Sequence, residues 1–339
     1  MNGAAPWVLV PPVLPLAAPP AGRPVGALAG TALGTAWRLR WVPPLGHGCD
    51  DDIARLRAVV DAVLARIDAQ MSHWREDSLL SAFGRLPPGE AMALPPDFAT
   101  TLRIACQVAA LSDGAFDPTL DEAVRAWGFG PAAGTSPDAP VPHVAGPPRT
   151  GGWRALRCEG GRVSQPGGVR LDLSAVAKGH AVDAVADALA AAGIGHFLFE
   201  LGGELRARGL KPGAQPWWVG VERPPEAACL PELRIALVDG AVASSGDWRQ
   251  RRRLGDRWLS HTLDPRTGAP VDHALSAVTV CHAQAAWADA LATALCVLGP
   301  QAGTDWAEAH EVAAWFVART PDGGWREWPS TALARWLAD

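Results

Sequence analysis

Two oxygen-bearing side chains stand four residues apart in the segment WADALAT at 287–293, namely Asp289 and Thr293. Residues at this spacing share one face of an α-helix, and the apolar composition of 285–298 predicts that the helix is buried. A buried carboxylate needs a cation or several hydrogen bonds, and two oxygen ligands on one face suit a hard cation such as Mg²⁺. Asp289 and Thr293 are therefore candidate metal ligands. The alternative is an aspartate satisfied within the core.

A second segment, LDLSAVAKGH at 171–180, contains a lysine where a strand is predicted to lead into a helix. We expect a strand over 169–173, a turn of small residues, and a helix over 179–192. Such a connection can present a helix N-terminus to an anion, and Lys178 could meet a phosphate or a carboxylate there. An ordinary strand-to-helix connection is the alternative.

A third segment, SHTLDPRTG at 260–268, places His261 just before a predicted turn. Asp264 followed by proline is typical of a turn start. A histidine at this position could act as a general base facing a cleft, and Asp264 either orients it or only holds the turn. Weaker signals are the polar turns LGGE at 201–204, SSGD at 244–247 and GAFDPT at 114–119.

The elements that must position these segments are a mixture of helices and strands. Apolar residues at helical spacing predict helices over 51–71, 95–114 and 285–298, the second with Leu111 facing inward. Strands are predicted over 36–42, 195–201, 217–222, 233–238, 240–244 and 275–281, the last with alternating burial, and a helix and strand over 306–316. We therefore expect an α+β fold, with antiparallel and mixed sheets flanked by helices. Residues 1–30 are expected to be irregular, and 31–339 one domain, whose surface loop at 130–152 could separate two lobes.

The composition excludes several classes of protein. The 339-residue chain has a net charge of −5 and no dominant lysine or arginine block, which argues against nucleic acid as a partner. No run of 18 apolar residues exists to span a membrane, and the six cysteines lack zinc-site spacing. The basic run at 249–253 predicts a solvated hairpin tip, or else a phosphate or partner contact.

In combination and order, these segments resemble the FAD:protein FMN transferase family, the ApbE family. The resemblance runs over about residues 30–300, from MS at 71–72 through GAFDPT and LGGE. Its specific motifs are DLSAVAKG at 172–179, SHTLDPRTG at 260–268 and ADALAT at 288–293. Family members commonly carry tyrosine at three positions that are Trp74, His180 and Trp248 here. Aromatic stacking is kept at the two tryptophans, but a phenol hydrogen bond is lost.

The resemblance implies a fold, a site and a reaction. Mg²⁺ would be held by Asp289, Thr293 and the backbone carbonyl of Ala175. The substrate FAD would contact seven residues, which are Met71, Ala115, Phe116, Asp117, Asp172, Lys178 and Leu263. The implied reaction transfers FMN from FAD to a Ser or Thr hydroxyl of an acceptor flavoprotein and releases AMP.

Two other functions stay open at this point. The same residues serve an FAD pyrophosphatase, in which water replaces the acceptor hydroxyl, and a non-catalytic flavin-binding protein would also match part of the pattern. The resemblance implies a periplasmic or membrane-anchored location. By contrast, the proline-broken apolar start of the chain, without a lipoprotein cysteine, is a poor signal peptide and favours the cytoplasm.

Overall fold

The computed structural model describes residues 6–12, 18–131 and 150–337. The helices are α1 Cys49–Met71, α2 Leu79–Phe83, α3 Pro96–Leu111, α4 Asp121–Ala126, α5 Ser174–Ala191, α6 Ala285–Leu298, α7 Pro300–Ala309 and α8 Thr331–Ala334. The strands are β1 Trp7–Leu9, β2 Gly26–Ala32, β3 Thr35–Trp41, β4 Ala91–Ala93, β5 Arg157–Glu159, β6 Arg162–Ser164, β7 Phe197–Leu201, β8 Glu204–Arg208, β9 Trp217–Gly220, β10 Leu233–Leu237, β11 Gly240–Gly246, β12 Arg251–Leu254, β13 Arg257–Ser260, β14 Leu263–Asp264, β15 Ala269–Pro270, β16 Leu275–His282, β17 Ala313–Arg319 and β18 Trp325–Pro329.

An eight-stranded sheet with the order β18-β17-β16-β11-β8-β7-β3-β2 forms the centre of the fold. All of its neighbouring strands are antiparallel. Helices α1, α3, α5 and α6 pack together over one face. A smaller mixed sheet, β1-β10-β9, contributes to the apolar core on the other face. This arrangement confirms the predicted α+β class, with antiparallel and mixed sheets flanked by helices.

Alternate residues of the central strands divide between two apolar cores. In β11, Ala241 and Ala243 belong to the core beneath the helices, whereas Val242 belongs to the core shared with β9 and β10. Strand β16 is buried along nearly its whole length, because both of its faces are covered. Its predicted alternation of buried and exposed residues was therefore wrong, since that pattern requires one face in water.

Helices α5 and α6 cross at Gly179. A Cβ atom at this position would overlap the carbonyl oxygen of Ala285 and approach Cα of Ala286 to 2.7 Å. The first turn of α6 is also anchored to α5, because the carboxylate of Asp183 accepts hydrogen bonds from the amides of Ala285 and Ala286, each at 2.9 Å. Arg206 on β8 pairs with the same carboxylate at 2.8 Å. The close crossing brings the two predicted metal-binding segments together.

Most predicted elements are confirmed, but four expectations need correction. The segment 1–30 is not wholly irregular, since it contains β1 and the start of β2. No strand forms over 169–173, because both backbone groups of Val169 bond to the side chain of Gln165 and the Asp172 amide donates to Pro118. The helix that follows begins at Ser174 instead of 179. Leu111, at the end of α3, is exposed although helical spacing predicted it to face inward.

The basic run at 249–253 is not the predicted solvated hairpin tip, because it continues into strand β12, whose hairpin with β13 turns at 255–256, and Arg252 is buried. Most of the predicted loop at 130–152 lies outside the described residues, which stop at 131 and resume at 150. Within the described ranges, none of the helices has the length and apolar character that crossing a membrane requires.

Candidate active site

Asp289 and Thr293 lie on the same face of α6, as their spacing predicts. Asp289 is 3% exposed, and its Oδ2 accepts a hydrogen bond from the Gly179 amide at 3.1 Å. The Thr293 hydroxyl lies 2.9 Å from the Ser245 hydroxyl on β11. Burial raises the pKa of Asp289 to about 7, which Lys178 opposes and Glu204 reinforces. The protein groups around the Asp289 carboxylate therefore do not fully offset the effect of its burial on the charged form.

The carbonyl of Ala175 fits a ligand role because the helix is irregular at this residue. In a regular α-helix this carbonyl would accept from the amide of Gly179, but that amide donates to Asp289. Ala175 itself departs from helical geometry, with φ −91° and ψ 15°. The carbonyl thus shares or loses its usual partner. Carboxylate, hydroxyl and carbonyl oxygens together form a donor set suited to Mg²⁺.

Lys178 is paired with a residue that sequence reasoning left out of the site, Glu204 at the start of β8. The Lys178 ammonium contacts Glu204 Oε1 closely, and the Glu204 carboxylate is almost fully buried. Burial disfavours the ammonium, but Glu204 and then Asp289 outweigh it and raise the pKa of Lys178. The other oxygen, Glu204 Oε2, is buried without a hydrogen-bond partner among the described residues. Lys178 is thus a fixed positive charge beside Asp289.

His261 is oriented by a backbone carbonyl. Its Nδ1 lies 3.0 Å from the carbonyl oxygen of Gln250. A carbonyl only accepts, so Nδ1 carries the hydrogen and Nε2 keeps the free lone pair of a base. Burial lowers the pKa of His261 below its ordinary value, while the Gln250 contact opposes this. Lys178 and Asp172 act on the same ring, which places His261 within electrostatic reach of the N-terminus of α5.

Asp264 holds the turn and is not the residue that orients His261. Its carboxylate accepts from the backbone amide and the guanidinium of Arg266, and its carbonyl accepts from the amides of Thr267 and Gly268. The described hydrogen bonds of Nδ1 run to Gln250 instead. Of the two roles predicted for Asp264, the geometry therefore supports the structural one.

Comparison with known proteins agrees with this arrangement. The sequence profile of the ApbE family matches residues 33–316, which span all the segments above. The chain belongs to the ApbE family.

Relatives of this ApbE-family protein match it along most of their length. The FAD:protein FMN transferase of Vibrio cholerae is 34% identical over 290 residues, which cover 85% of this chain and 86% of that protein. The apo flavinyl transferase ApbE of Pseudomonas stutzeri superposes with a TM-score of 0.82 at 32% identity, over 94% of this chain and 98% of that one. The flavin transferase ApbE of Vibrio cholerae gives 0.80 at 32% identity, over 93% and 100%.

The remaining predicted flavin-binding residues of this ApbE-family protein lie in segments that contact one another. The Asp172 amide donates to Pro118, and the Asp172 carboxylate accepts from the Ser174 amide at 2.8 Å. This ties the start of α5 to the GAFDPT turn. Leu263 packs in a small cluster with Leu120 and Ala123, directly after that turn.

Within the GAFDPT turn, Ala115 and Phe116 are buried. The Asp117 carboxylate accepts hydrogen bonds from the amide and hydroxyl of Thr119 and from the amide of Gly151. Met71 is buried at the end of α1. In this geometry Asp117 shapes the turn through its side chain, and contact of all these residues with FAD stays a prediction.

Sequence reasoning missed three contributors to the site of this ApbE-family protein. Glu204 and Ser245 lie in polar turns whose signals were too weak to assign a role. Their roles depend on partners in α5 and α6 that the sequence does not place beside them. The Gln250 contribution is a backbone carbonyl, which no side-chain type reveals.

Proposed function

We propose that this protein transfers FMN from FAD to a Ser or Thr hydroxyl of an acceptor flavoprotein, releasing AMP, in a reaction that depends on Mg²⁺. One observation carries the proposal. An all-oxygen donor set, a fixed lysine and a histidine with a free Nε2 lie around the N-terminus of α5. Relatives over most of the chain are named FAD:protein FMN transferases.

The N-terminus of α5 and Lys178 are the groups that would hold the pyrophosphate of FAD. The positive end of the helix dipole favours a phosphate, and the charge of Lys178 adds to this attraction. Asp289, Thr293 and the carbonyl of Ala175 would hold Mg²⁺. When bound, this ion supplies neutralisation of the phosphate charge and polarises the phosphorus under attack.

His261 would remove the proton from the attacking hydroxyl. Its Nε2 has a free lone pair, and its lowered pKa keeps the ring neutral at pH 7. The acceptor oxygen forms a bond to the FMN phosphorus while the bond from that phosphorus to the bridging oxygen breaks. AMP leaves with the bridging oxygen, and the proton resides on His261 until solvent takes it.

Co-expression with flavoproteins encoded by neighbouring genes, followed by mass spectrometry, tests the transfer. We expect an added FMN on a Ser or Thr of the acceptor, and loss of that adduct when His261→Ala replaces the parent. The purified protein incubated with FAD and Mg²⁺ alone measures AMP release to water. AMP release that no acceptor accelerates, with no FMN adduct on any acceptor, would instead establish an FAD pyrophosphatase.

A further inference from the structure

A groove of about 340 Å³ lies on the face of the central sheet that is opposite the helices. Strands β3, β7, β8 and β11 form its floor, and β9 forms one wall. We call it the β9 groove, and it is defined by Arg40, Leu205, Val219, Gly220, Ser244 and Arg249. Trp248, one of the two tryptophans at family tyrosine positions, lines it, but none of the predicted metal ligands or of the seven predicted FAD contacts does. Most of the groove is therefore a surface that the proposed chemistry leaves unused.

One end of the β9 groove adjoins the candidate active site at two points. Ser245 lines the groove, and its hydroxyl contacts the Thr293 hydroxyl at 2.9 Å. Gly203 also lines the groove and directly precedes Glu204, the partner of Lys178. Two of the predicted site residues are thus one contact away from residues that form this end.

The same end is held in place by Arg249. Its guanidinium donates to the Gly202 carbonyl and pairs with Glu222, and it lies within electrostatic reach of Lys178. The two glycines form the turn between β7 and β8, both with positive φ. A Cβ at Gly203 would approach the guanidinium to 3.0 Å. This turn and Arg249 therefore form the end of the groove that adjoins the site.

The charged side chains that line the β9 groove leave a net positive charge at Arg40. Arg38 pairs with Glu200, and Arg249 pairs with Glu222. Arg40 forms none of the ion pairs found among the described residues. Burial, and then the charge of Arg40, lower the pKa of the nearby Lys211 ammonium, which shows that like charges gather here.

We propose that the β9 groove binds an extended segment of the acceptor protein, with its Ser or Thr at the Thr293 end and an acidic side chain at Arg40. This inference rests on the proposed function. From β3 to β11 the segment crosses three strand spacings, about 14 Å. Arg40 is level with Gly240 in the sheet register, so the segment also shifts five residues along the strands to Ser245, about 17 Å. The resulting diagonal of about 22 Å corresponds to about six to seven extended residues.

A bulky residue at Gly220 tests the groove directly. A Cβ at Gly220 meets no atom within 4 Å, so Gly220→Trp adds its ring to open space. Gly195 is equally open and does not line the groove, which makes Gly195→Trp the matched control. The probe is a pool of sixteen-residue peptides, each with one central Thr and randomised flanking positions, incubated with FAD and Mg²⁺. Mass spectrometry counts FMN–peptide adducts, and AMP release is recorded in parallel.

We expect Gly220→Trp to raise the KM for peptide at least tenfold without raising the KM for FAD, whereas Gly195→Trp resembles the parent. Adducts formed by the parent should be enriched in Asp or Glu about six to seven residues from the Thr. Arg40→Glu should reverse that preference towards Lys or Arg, while Arg103→Glu on α3 should keep it.

These measurements distinguish a failure of acceptor binding in the β9 groove from a failure of FMN transfer itself. Transfer that neither Gly220→Trp nor Arg40→Glu alters would overturn the groove and leave the proposed function standing. AMP release with no adduct on any peptide would also overturn it, because a short extended segment would then not suffice. Neither AMP nor adduct from the parent, here or with any co-expressed flavoprotein, would refute the proposed function itself.

Discussion

Replacing Glu204 with glutamine tests how the candidate site keeps Asp289 available for a cation. In the structure Glu204 holds the Lys178 ammonium, and both groups act on the Asp289 carboxylate. Without the charge of Glu204, the ammonium is drawn to Asp289 as its remaining anionic neighbour. A Lys178–Asp289 ion pair competes with a metal for the same oxygens, so the variant should bind Mg²⁺ more weakly.

The expected loss is about 10- to 100-fold in Mg²⁺ affinity, the range for residues that support metal ligands from outside the coordination shell. This corresponds to about 1.4 to 2.7 kcal/mol. Folding should suffer less than the ~3–5 kcal/mol typical of breaking a fully buried ion pair. The Lys178 side chain is 35% exposed, and water compensates part of its charge.

Isothermal titration of Mg²⁺ into FAD-free protein measures the affinity, and denaturant unfolding measures the stability. Glu232→Gln is the control, since Glu232 forms an exposed ion pair with Arg234 far from any predicted ligand. In the double variant with Lys178→Met, the competing ammonium is gone, and the cation should bind more tightly than in Glu204→Gln alone. Equal Mg²⁺ affinity in Glu204→Gln and the parent would refute the reasoning, and a double variant no tighter than the single would refute the competition.

The remaining predictions concern the base, the anchor of α6 and the helix crossing. Because burial lowers the pKa of His261 from its ordinary 6.5, the acid limb of kcat/KM for FMN transfer should lie below pH 6.5, with activity falling tenfold per pH unit below that pKa. An acid limb above pH 6.5, or one that persists in His261→Ala, would contradict the role of His261 as the base. Asp183→Ala leaves two amides of α6 unpaired and should lower the free energy of unfolding by about 1 to 3 kcal/mol. Asp187 is exposed and lies 3.6 Å from the same Arg206, so Asp187→Ala should change the free energy of unfolding by less than about 0.5 kcal/mol. Equal losses of stability in Asp183→Ala and Asp187→Ala would show that the Asp183 hydrogen bonds to α6 do not stabilise the fold. Gly179→Ala forces α5 and α6 apart, so it should lower the free energy of unfolding in denaturant by about 1 to 3 kcal/mol and weaken Mg²⁺ binding. The control Gly195→Ala should lower it far less. A Gly179→Ala variant with unchanged stability and Mg²⁺ binding would argue against the close crossing.

The sequence predicts the parts of the site that depend on local periodicity. Asp289 and Thr293 share a face because four residues make about one helical turn, which holds wherever the helix packs. The apolar composition of 285–298 predicts α6 itself. The same logic failed over 169–173, where an apolar stretch resembles a strand. There a single glutamine side chain, Gln165, satisfies the Val169 backbone groups that a neighbouring strand would otherwise bind.

The parts that the sequence does not predict depend on long-range contacts or on the backbone. The pairing of Glu204 with Lys178 joins the start of β8 to α5, so its recognition needs the order of strands in the sheet. The contact between Gln250 and His261 uses a carbonyl that every residue possesses. Orienting His261 was one of the two roles predicted for Asp264, which lies three residues away, but the turn at Asp264 uses its carboxylate oxygens.

The close crossing of α5 and α6 has a consequence for the time at which the protein becomes competent during its synthesis. The Gly179 amide and the Asp289 carboxylate are 110 residues apart in the chain, and β7, β8 and β11 lie between them in sequence. A nascent chain still attached to the ribosome lacks the donor set until α6 has emerged and docked. Chains released early by truncation before α6 therefore lack the predicted metal ligands Asp289 and Thr293, so the site cannot form in partial products.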